Sequence, residues 1–417
     1  MNGDAGGVAV VMIRFPFRPI NSVPHSFHAT GRFAPASAHG VFSALRLFPQ
    51  RLSSLHPVPR WYCTRSDGTS FLFSRKGQTT GGTQSQPTPE SRLRSYAMES
   101  TTFTARGTSD LLGTVPALFG FHPENSLIAI ATFGPSNRFG FRLRLDMPTA
   151  GHVAEAAEVV TRHLIGQNAE GVVLIALTNR KVEADVLVGR ITELLGEIPV
   201  HEAVRADGTY FWSYRDDAVE QGTLYADPAI APVVVEAIGA GMPIYGSRAE
   251  LAARYNTEGP STLEKVRDAI NTLAQEVGTP DSIDRVAVSA QVLNTLDAVI
   301  EDRGALSPER VAWLALGASL TPIRDEMWAR MTRTNAEAHA EIWRLVANSV
   351  VDEASVAPYT LCAFAHWLHG DGAQALIALE RAQSIAPTYS MAGLIGTMLE
   401  NSLNPETWDG FDPTGPA

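Results

Sequence analysis

The sequence contains little cysteine, little lysine and no long apolar run. It has two cysteines in 417 residues, and only Cys362 lies beyond residue 97, so no internal disulfide can form in residues 98–417. No segment reaches the roughly 18 consecutive apolar residues needed to cross a bilayer. Only three of the 33 basic residues are lysines, a bias expected of a GC-rich genome; they are Lys76, Lys181 and Lys265. These absences predict a cytoplasmic protein without a membrane anchor.

The sequence also lacks the motifs that identify many catalytic sites. It contains no glycine-rich phosphate loop ending in Gly-Lys-Ser/Thr, no nucleophile elbow, no paired-histidine zinc helix and no cysteine pair for zinc. Gly239, Gly241 and Gly246 follow a predicted helix instead of linking a strand to a helix, so they do not predict dinucleotide binding. We therefore expect no cofactor and no metal, and assign no catalytic residue. An enzyme of a class without such motifs stays compatible with the sequence.

Charge divides the chain into two regions of opposite sign. Residues 1–97 carry 11 basic and 3 acidic residues, whereas residues 98–417 carry 22 and 41. The first region is rich in Pro, Ser, Gly and Thr and has no apolar periodicity, which predicts a disordered leader. A secretory signal fits poorly because the apolar run at residues 8–13 is short and follows Asp4. A transit peptide, a disordered tail and a start codon assigned too far upstream are the alternatives, and we favour the last, with Met98 as the start.

The length and acidity of residues 98–417 indicate their organisation. About 320 residues predict about two domains. We place an α/β domain at residues 98–258, a helical domain at 259–405 and a disordered tail at 406–417, with the boundary in the turn-rich residues 256–260. The negative charge argues against nucleic acid as a partner, because phosphate backbones bind basic surfaces.

The fold is predicted to begin between residues 109 and 133. Apolar residues recur at helical spacing over residues 111–119. Pro116 lacks an N–H, so it predicts two broken turns instead of one helix, and Gly120 predicts the end. The uninterrupted apolar run at residues 126–133 predicts a strand covered on both faces.

The next residues predict a mixed sheet of about five strands with packed helices. In residues 138–146, apolar residues alternate with arginines and a glycine, which predicts a strand with one buried face and one guanidinium-lined face. Helical patterns at 150–165 and 182–195 alternate with buried-type strands at 171–177 and 198–204. Asp207-Gly208 predicts a tight turn into an aromatic strand at 210–214. Two hairpins joined by two crossover helices give the mixed sheet.

Residues 261–403 predict about seven helices packed as hairpins. Capping patterns predict several helix starts, at Ser247 with Glu250, Ser261 with Glu264, Ser307-Pro308 and Thr334 with Glu337. One hairpin resembles a tetratricopeptide repeat at its small and proline positions, Gly370, Ala375, Ala382 and Pro387. Tyr359 and His366 depart from the aromatic positions of that repeat, and only one convincing repeat is present. The hairpin serves either as packing or as a ligand surface.

The body of the chain, from about residue 109 to 405, resembles the domain of unknown function 4192 family of GC-rich actinobacteria. The residues that carry the resemblance are Leu111-Leu112, Val115-Pro116, Leu118, Gly120-Phe121, Pro123, Ser126, Arg144-Leu145-Asp146, Trp212-Ser213-Tyr214, Trp343, Gly370-Asp371-Gly372-Ala373 and Ala378-Leu379. The resemblance implies no assigned reaction, cofactor or substrate. It also implies that residues 1–97 lie outside the domain.

Two polar groups are candidate ligand-binding residues, and each also has an ordinary structural explanation. His122, Glu124 and Asn125 lie between the predicted helix and strand, where an imidazole beside a carboxylate could transfer protons; they could equally cap a turn. Arg142 and Arg144 share a strand face, where two guanidinium groups could hold a phosphate or carboxylate; they could equally line a solvated face.

The aromatic strand gives a third candidate group. By the two-residue period, Tyr210, Trp212 and Tyr214 share a face that could stack a planar ligand or anchor a partner chain, or could fill the core against a helix. His366 and His369 have a spacing that can share a metal, but no further ligand cluster accompanies them, so we expect a packing or solvated role.

The sequence favours a non-catalytic cytoplasmic binding or regulatory protein that contacts protein partners through its helical domain. The alternative is a small-molecule enzyme or ligand sensor with a pocket at the sheet edge, in which His122, Glu124, Arg142 and Trp212 converge in one cleft.

Overall fold

The computed structural model describes residues 3–4, 10–13, 104–105, 107–215, 221–239, 241–278, 284–302 and 306–408. Within residues 1–97 it describes only two short strands, β1 (Gly3–Asp4) and β2 (Val10–Ile13). Strand β1 pairs antiparallel with β3 (Thr104–Ala105). The predicted leader and the predicted tail fall mostly outside the described residues, so both stay predictions.

The first long helix, α1 (Thr108–Phe119), is continuous through Pro116. The predicted break at this proline is therefore wrong. The helix is stabilised despite the missing N–H because apolar residues before and after Pro116 are buried. These residues include Leu112, Val115 and Phe119, each 3% exposed or less. The predicted end is confirmed, because Gly120 adopts a left-handed φ of 72° and donates its N–H to Pro116 O.

A mixed sheet follows, as predicted. Its six strands after residue 125 are β4 (Ser126–Phe133), β5 (Arg138–Asp146), β6 (Gly171–Leu177), β7 (Val200–Ala206), β8 (Tyr210–Ser213) and β9 (Thr223–Leu224). They lie in the order β5-β4-β6-β7-β8-β9, with β2 next to β5 at the edge. Only β6 and β7 pair in parallel among these six. The two-residue strand β9 was not predicted.

Helices cover both faces of this sheet. Helices α2 (Val153–Gly166) and α3 (Lys181–Leu195) pack on one face, where Tyr214 donates to Asp185 of α3. Helix α1 lies over the other face, where Thr108 donates to Glu202 of β7 at 3.2 Å. The central strand β4 is therefore buried on both faces, as its apolar run predicts.

The remaining short helices of this part are α4 (Pro232–Gly239) and α5 (Arg248–Ala253). Ser247 accepts from Glu250 N at 3.1 Å, so the predicted cap is confirmed. The chain divides into two compact units between Leu251 and Ala252. We call the described residues 104–251 the sheet unit and the described residues 252–408 the helical unit.

In its described residues, the helical unit contains eight α-helices. They are α6 (Pro260–Val277), α7 (Arg285–Asp302), α8 (Pro308–Ser319), α9 (Thr321–Ala329), α10 (Ala336–Ser349), α11 (Glu353–His369), α12 (Gly372–Ile385) and α13 (Ser390–Glu400). Ser307 caps α8 as predicted, but Gly259 and Asn335 precede α6 and α10 without a side-chain cap. The predicted helical domain is confirmed. None of the described helices is long and apolar enough to cross a membrane.

Candidate functional site

The first candidate group lies at the end of the sheet where β6 finishes. Ser126 pairs with Asp146 of β5 and with Leu177 of β6, so the loop before β4 meets the ends of both neighbouring strands. Thr178 Oγ1 donates to Asn125 Oδ1 at 2.9 Å and accepts from Arg180 N at 3.1 Å. The polar groups at this end therefore bind one another across the loops.

Asn125 has the left-handed φ of 42° that a tight turn requires. Its carbonyl accepts from Met147 N at 2.8 Å, which joins the loop to the end of β5. His122 is half-buried, and its backbone N–H donates to Tyr245 O, while the side chain of Glu124 is exposed. This geometry favours the turn explanation for Asn125 and leaves Glu124 accessible to solvent.

Arg180 also secures these loops, and the sequence pattern did not single it out. Its guanidinium donates to Met147 O at 3.2 Å, to Pro148 O at 2.8 Å and to Glu183 Oε1 at 2.8 Å. The bond from Arg180 is the main reason that the pKa of Glu183 lies below its usual value. An arginine that begins a helix carries no periodic signal, so only the folded loops reveal its role.

The two candidate arginines share a face of β5, as predicted, but this face is covered near Arg144. Arg144 is 7% exposed, pairs with Asp146 at 2.5 Å and lies 5.7 Å from the centre of the Phe121 ring. Arg142 is half-buried. The expected solvated guanidinium face is therefore wrong at Arg144, because the segment after α1 packs over it.

The aromatic candidates lie on the opposite face of the sheet. Trp212 pairs with Arg205, Arg205 with Ala176 and Ala176 with Leu127, whereas Arg142 pairs with Ile130. Paired residues point to the same side of a sheet, and successive residues alternate. The sheet therefore separates Trp212 from Arg142, and the predicted single cleft that contains both is wrong.

Trp212 has a charged partner instead. The Arg205 guanidinium lies 3.8 Å from the centre of the Trp212 ring, and Arg205 itself is only 7% exposed. Arg205 also donates to Thr178 O at 3.4 Å. The Tyr210 ring lies 6.4 Å from that of Trp212, and Gly222 approaches the indole so closely that a Cβ there would lie 2.7 Å from it. The cation–π contact thus fixes the indole in place.

Tyr214 lines an open groove between α3 and β7. The groove has a volume of about 530 Å³, and its lining includes Lys181, Asp185, Val200 and Arg215. The Tyr214 hydroxyl donates to Asp185 Oδ1 at 2.9 Å, and burial together with this carboxylate raises the pKa of the phenol. The volume of this groove lies within the range of small-molecule sites.

A second candidate site lies in the helical unit, where α10, α11 and α12 form a groove around residues 254–258. Tyr255 is 1% exposed, and its hydroxyl donates to Gln374 Oε1 at 3.0 Å and lies 2.8 Å from His366 Nε2. Burial lowers the pKa of His366 to about 4, so its ring is neutral near pH 7. His366 thus has a hydrogen-bonding role in this groove.

Side chains of the same groove bind the backbone of residues 254–258. Arg344 Nη1 and Asn348 Nδ2 donate to Arg254 O at 2.9 and 2.6 Å. Tyr359 donates to Tyr255 O at 2.9 Å. The backbone of Asn348 accepts from Glu258 N at 2.8 Å. The sequence pattern did not single out Tyr255 as a site residue, because its partners His366, Gln374 and Tyr359 lie more than 100 residues further along the chain.

Comparison with known proteins gives one match. No curated protein and no solved structure matches the chain. The model of the family described as domain of unknown function (DUF4192) matches residues 109–406, which include most of both units. The chain therefore belongs to the DUF4192 family.

Proposed function

We propose that this chain is a non-catalytic cytoplasmic binding or regulatory protein that contacts protein partners through its helical unit. The groove formed by α10, α11 and α12 supports the proposal, because three of its side chains, Arg344, Asn348 and Tyr359, donate to polypeptide backbone. Two carbonyls in succession, those of Arg254 and Tyr255, accept hydrogen bonds from groove side chains. A site that binds successive carbonyls has the chemistry to hold a peptide.

The charge of the chain supports a protein partner over nucleic acid. Residues 98–417 carry 22 basic and 41 acidic residues, and phosphate backbones repel such a surface. Among the described residues, the one cysteine is Cys362, which is free and buried. The lack of a second cysteine in residues 98–417 supports the cytoplasmic part of the proposal, since small secreted domains commonly rely on disulfides.

The test is affinity capture with the full chain from native lysate, followed by hydrogen–deuterium exchange of the recovered complex. We expect a reproducible partner that slows exchange in residues 252–408. Recovery of no reproducible partner across several growth conditions would overturn the proposal, and so would slowed exchange confined to residues 107–251.

The second candidate function is a small-molecule enzyme or ligand sensor in the sheet unit. The groove between α3 and β7 favours it, because about 530 Å³ can accommodate a metabolite and Tyr214 and Asp185 are among the lining residues. A single cleft that contains His122, Glu124, Arg142 and Trp212 does not fit, since the sheet separates Arg142 from Trp212.

A thermal-shift screen against metabolites tests this second function. A ligand that binds only the folded state raises the melting temperature. Tyr214→Phe should abolish the rise for a ligand of this groove, whereas the exposed Tyr210→Phe provides a matched control. A rise of equal size in both variants would place the ligand elsewhere.

A further inference from the structure

We infer that the groove between α10, α11 and α12 is a peptide-binding site for a tyrosine preceded by a basic residue, and that residues 254–258 occupy it as an internal ligand. The inference deepens the proposed function, on which it rests. It names the partner by its chemistry: a polypeptide segment that presents an Arg-Tyr pair.

Burial changes sharply along the segment at Tyr255. Tyr255 is 1% exposed, whereas Arg254 before it is half-buried and residues 256–260 after it are exposed. Tyr255 is therefore the fully buried side chain of residues 254–260, and its ring fills the groove. This is how an anchor residue of a bound peptide engages its partner.

Polar side chains surround the tyrosine hydroxyl. Its one proton is used toward Gln374, so the hydroxyl accepts from Nε2–H of the neutral His366. A phenylalanine in the same place would leave the imidazole N–H buried without a partner. Sites built to bind a hydroxyl reject the analogue that lacks it, so the groove selects tyrosine over phenylalanine.

The groove also binds the basic residue that precedes the tyrosine. The Arg254 guanidinium donates to Glu341 Oε2 and to Gln374 Oε1, both at 3.0 Å. Glu341 thus supplies a carboxylate for a cation at this position. The residue after the tyrosine, Asn256, is also bound, since Arg381 donates to its Oδ1 at 2.7 Å.

The groove side chains also bind one another. Glu341 accepts from Arg344 at 2.5 and 3.0 Å, and Gln374 Nε2 donates to Asp371 at 2.7 Å. The Tyr359 hydroxyl lies 3.1 Å from Asn348 Oδ1, so it keeps an acceptor when no peptide carbonyl is present. These bonds do not involve residues 254–258, so the groove is preorganised without them, which lowers the cost of binding.

The internal ligand has a consequence for any partner. A covalently attached segment acts at an effective concentration in the millimolar range. A partner with the same Arg-Tyr chemistry must therefore displace residues 254–258 or bind when they are released. The segment would limit binding until it leaves the groove.

The test uses the full chain with Tyr255→Ala, which empties the anchor position, and a fluorescent peptide of residues 252–259, Ala-Ala-Arg-Tyr-Asn-Thr-Glu-Gly. We expect fluorescence anisotropy to detect binding of the peptide to this variant. The wild type should bind the peptide at least about tenfold more weakly, because its own segment competes for the groove. A peptide with Tyr→Phe should bind about tenfold more weakly, because it leaves the His366 N–H without an acceptor.

A matched groove variant provides the control. Tyr255→Ala combined with Asn348→Ala removes one donor to the peptide carbonyl and should weaken binding about tenfold. If Tyr255→Ala does not fold by circular dichroism, Tyr255→Phe replaces it as the receptor, since it keeps the ring and weakens the internal ligand.

Any of three results would overturn the inference: no peptide binding to a folded receptor, equal binding of the Tyr and Phe peptides, or equal binding in the Asn348→Ala background. Its failure can be distinguished from that of the proposed function. A captured partner that protects residues 252–408, together with no peptide binding, leaves the proposed function standing and removes only the inference.

Discussion

Tyr255→Phe and Tyr255→Ala together measure how firmly the tyrosine is held in the groove of the helical unit. The phenylalanine variant keeps the ring and removes the hydroxyl between His366 and Gln374. Because Gln374 Oε1 also accepts from Arg254, the main cost is one buried imidazole N–H, about 1–2 kcal/mol. The alanine variant also loses a ring that is 99% shielded, for which about 3–5 kcal/mol is expected.

Tryptophan fluorescence is a suitable assay, during urea unfolding for the free energy and during heating for Tm. Five of the seven tryptophans lie in residues 252–408, so the signal reports mainly on the helical unit. For a unit of this size each kcal/mol corresponds to roughly 2–4 °C in Tm, so the alanine variant should melt about 6–20 °C lower. Tyr210→Ala, at a residue 43% exposed in the sheet unit, should leave this transition unchanged. Equal costs for the two Tyr255 variants, or a cost below about 1 kcal/mol for alanine, would refute the reasoning.

Three further predictions concern other buried polar groups. Arg205→Ala should destabilise the sheet unit by about 2 kcal/mol and shift the emission of Trp212, since it removes a desolvated cation–π contact; an unchanged urea midpoint would contradict this. Asn125→Ala should cost about 1–2 kcal/mol through its φ of 42° and the lost bond from Thr178, whereas Asn125→Gly should cost less because glycine accepts that φ; the reverse order would exclude backbone strain. His339 is 1% exposed, and in the described part of the chain neither ring nitrogen has a hydrogen-bond partner; burial lowers its pKa to about 4, against the opposing charge of Asp297. As the pH falls, His339 therefore takes up a proton near pH 6.5 in the unfolded chain but only near pH 4 in the folded chain. The contribution of His339 to stability is complete above pH 6.5 and is lost as the pH drops toward 4, by up to about 3 kcal/mol. His339→Leu should flatten this slope in urea titrations, and a slope identical to the wild type would show that other groups cause it.

The sequence predicts most clearly those elements whose whole signal is local. Strand β4 begins and ends as predicted, because an eight-residue apolar run lies between a proline turn and Gly134. The α/β and helical halves follow from the change between two-residue and helical periods. The two-residue strand β9 is too short for any period, so only pairing with β8 reveals it.

The spacing of apolar residues within one strand does not show which other segment of the chain covers a face of that strand. Residues 138–146 have the pattern of a half-solvated strand, yet Arg144 is buried beneath the segment that contains Phe121. Pro116 likewise has the local chemistry of a helix breaker, and burial of its neighbours outweighs that preference.

The candidate residues divide in the same way. The spacing correctly places Arg142 with Arg144 and Tyr210 with Trp212, because alternation fixes which residues of one strand share a face. It cannot place two strands relative to each other, so the separation of Arg142 from Trp212 appears only in the pairing. The contacts of Tyr255 span more than 100 residues of sequence to His366 and Gln374, which no short pattern can indicate.

Hydrogen–deuterium exchange of the full-length Tyr255→Ala chain, with and without the peptide of residues 252–259, tests most directly the claim that the helical unit holds polypeptide. We predict slower exchange in α10, α11 and α12, the helices that supply the groove. Slower exchange confined to the sheet unit, or no change at a saturating peptide concentration, would contradict it.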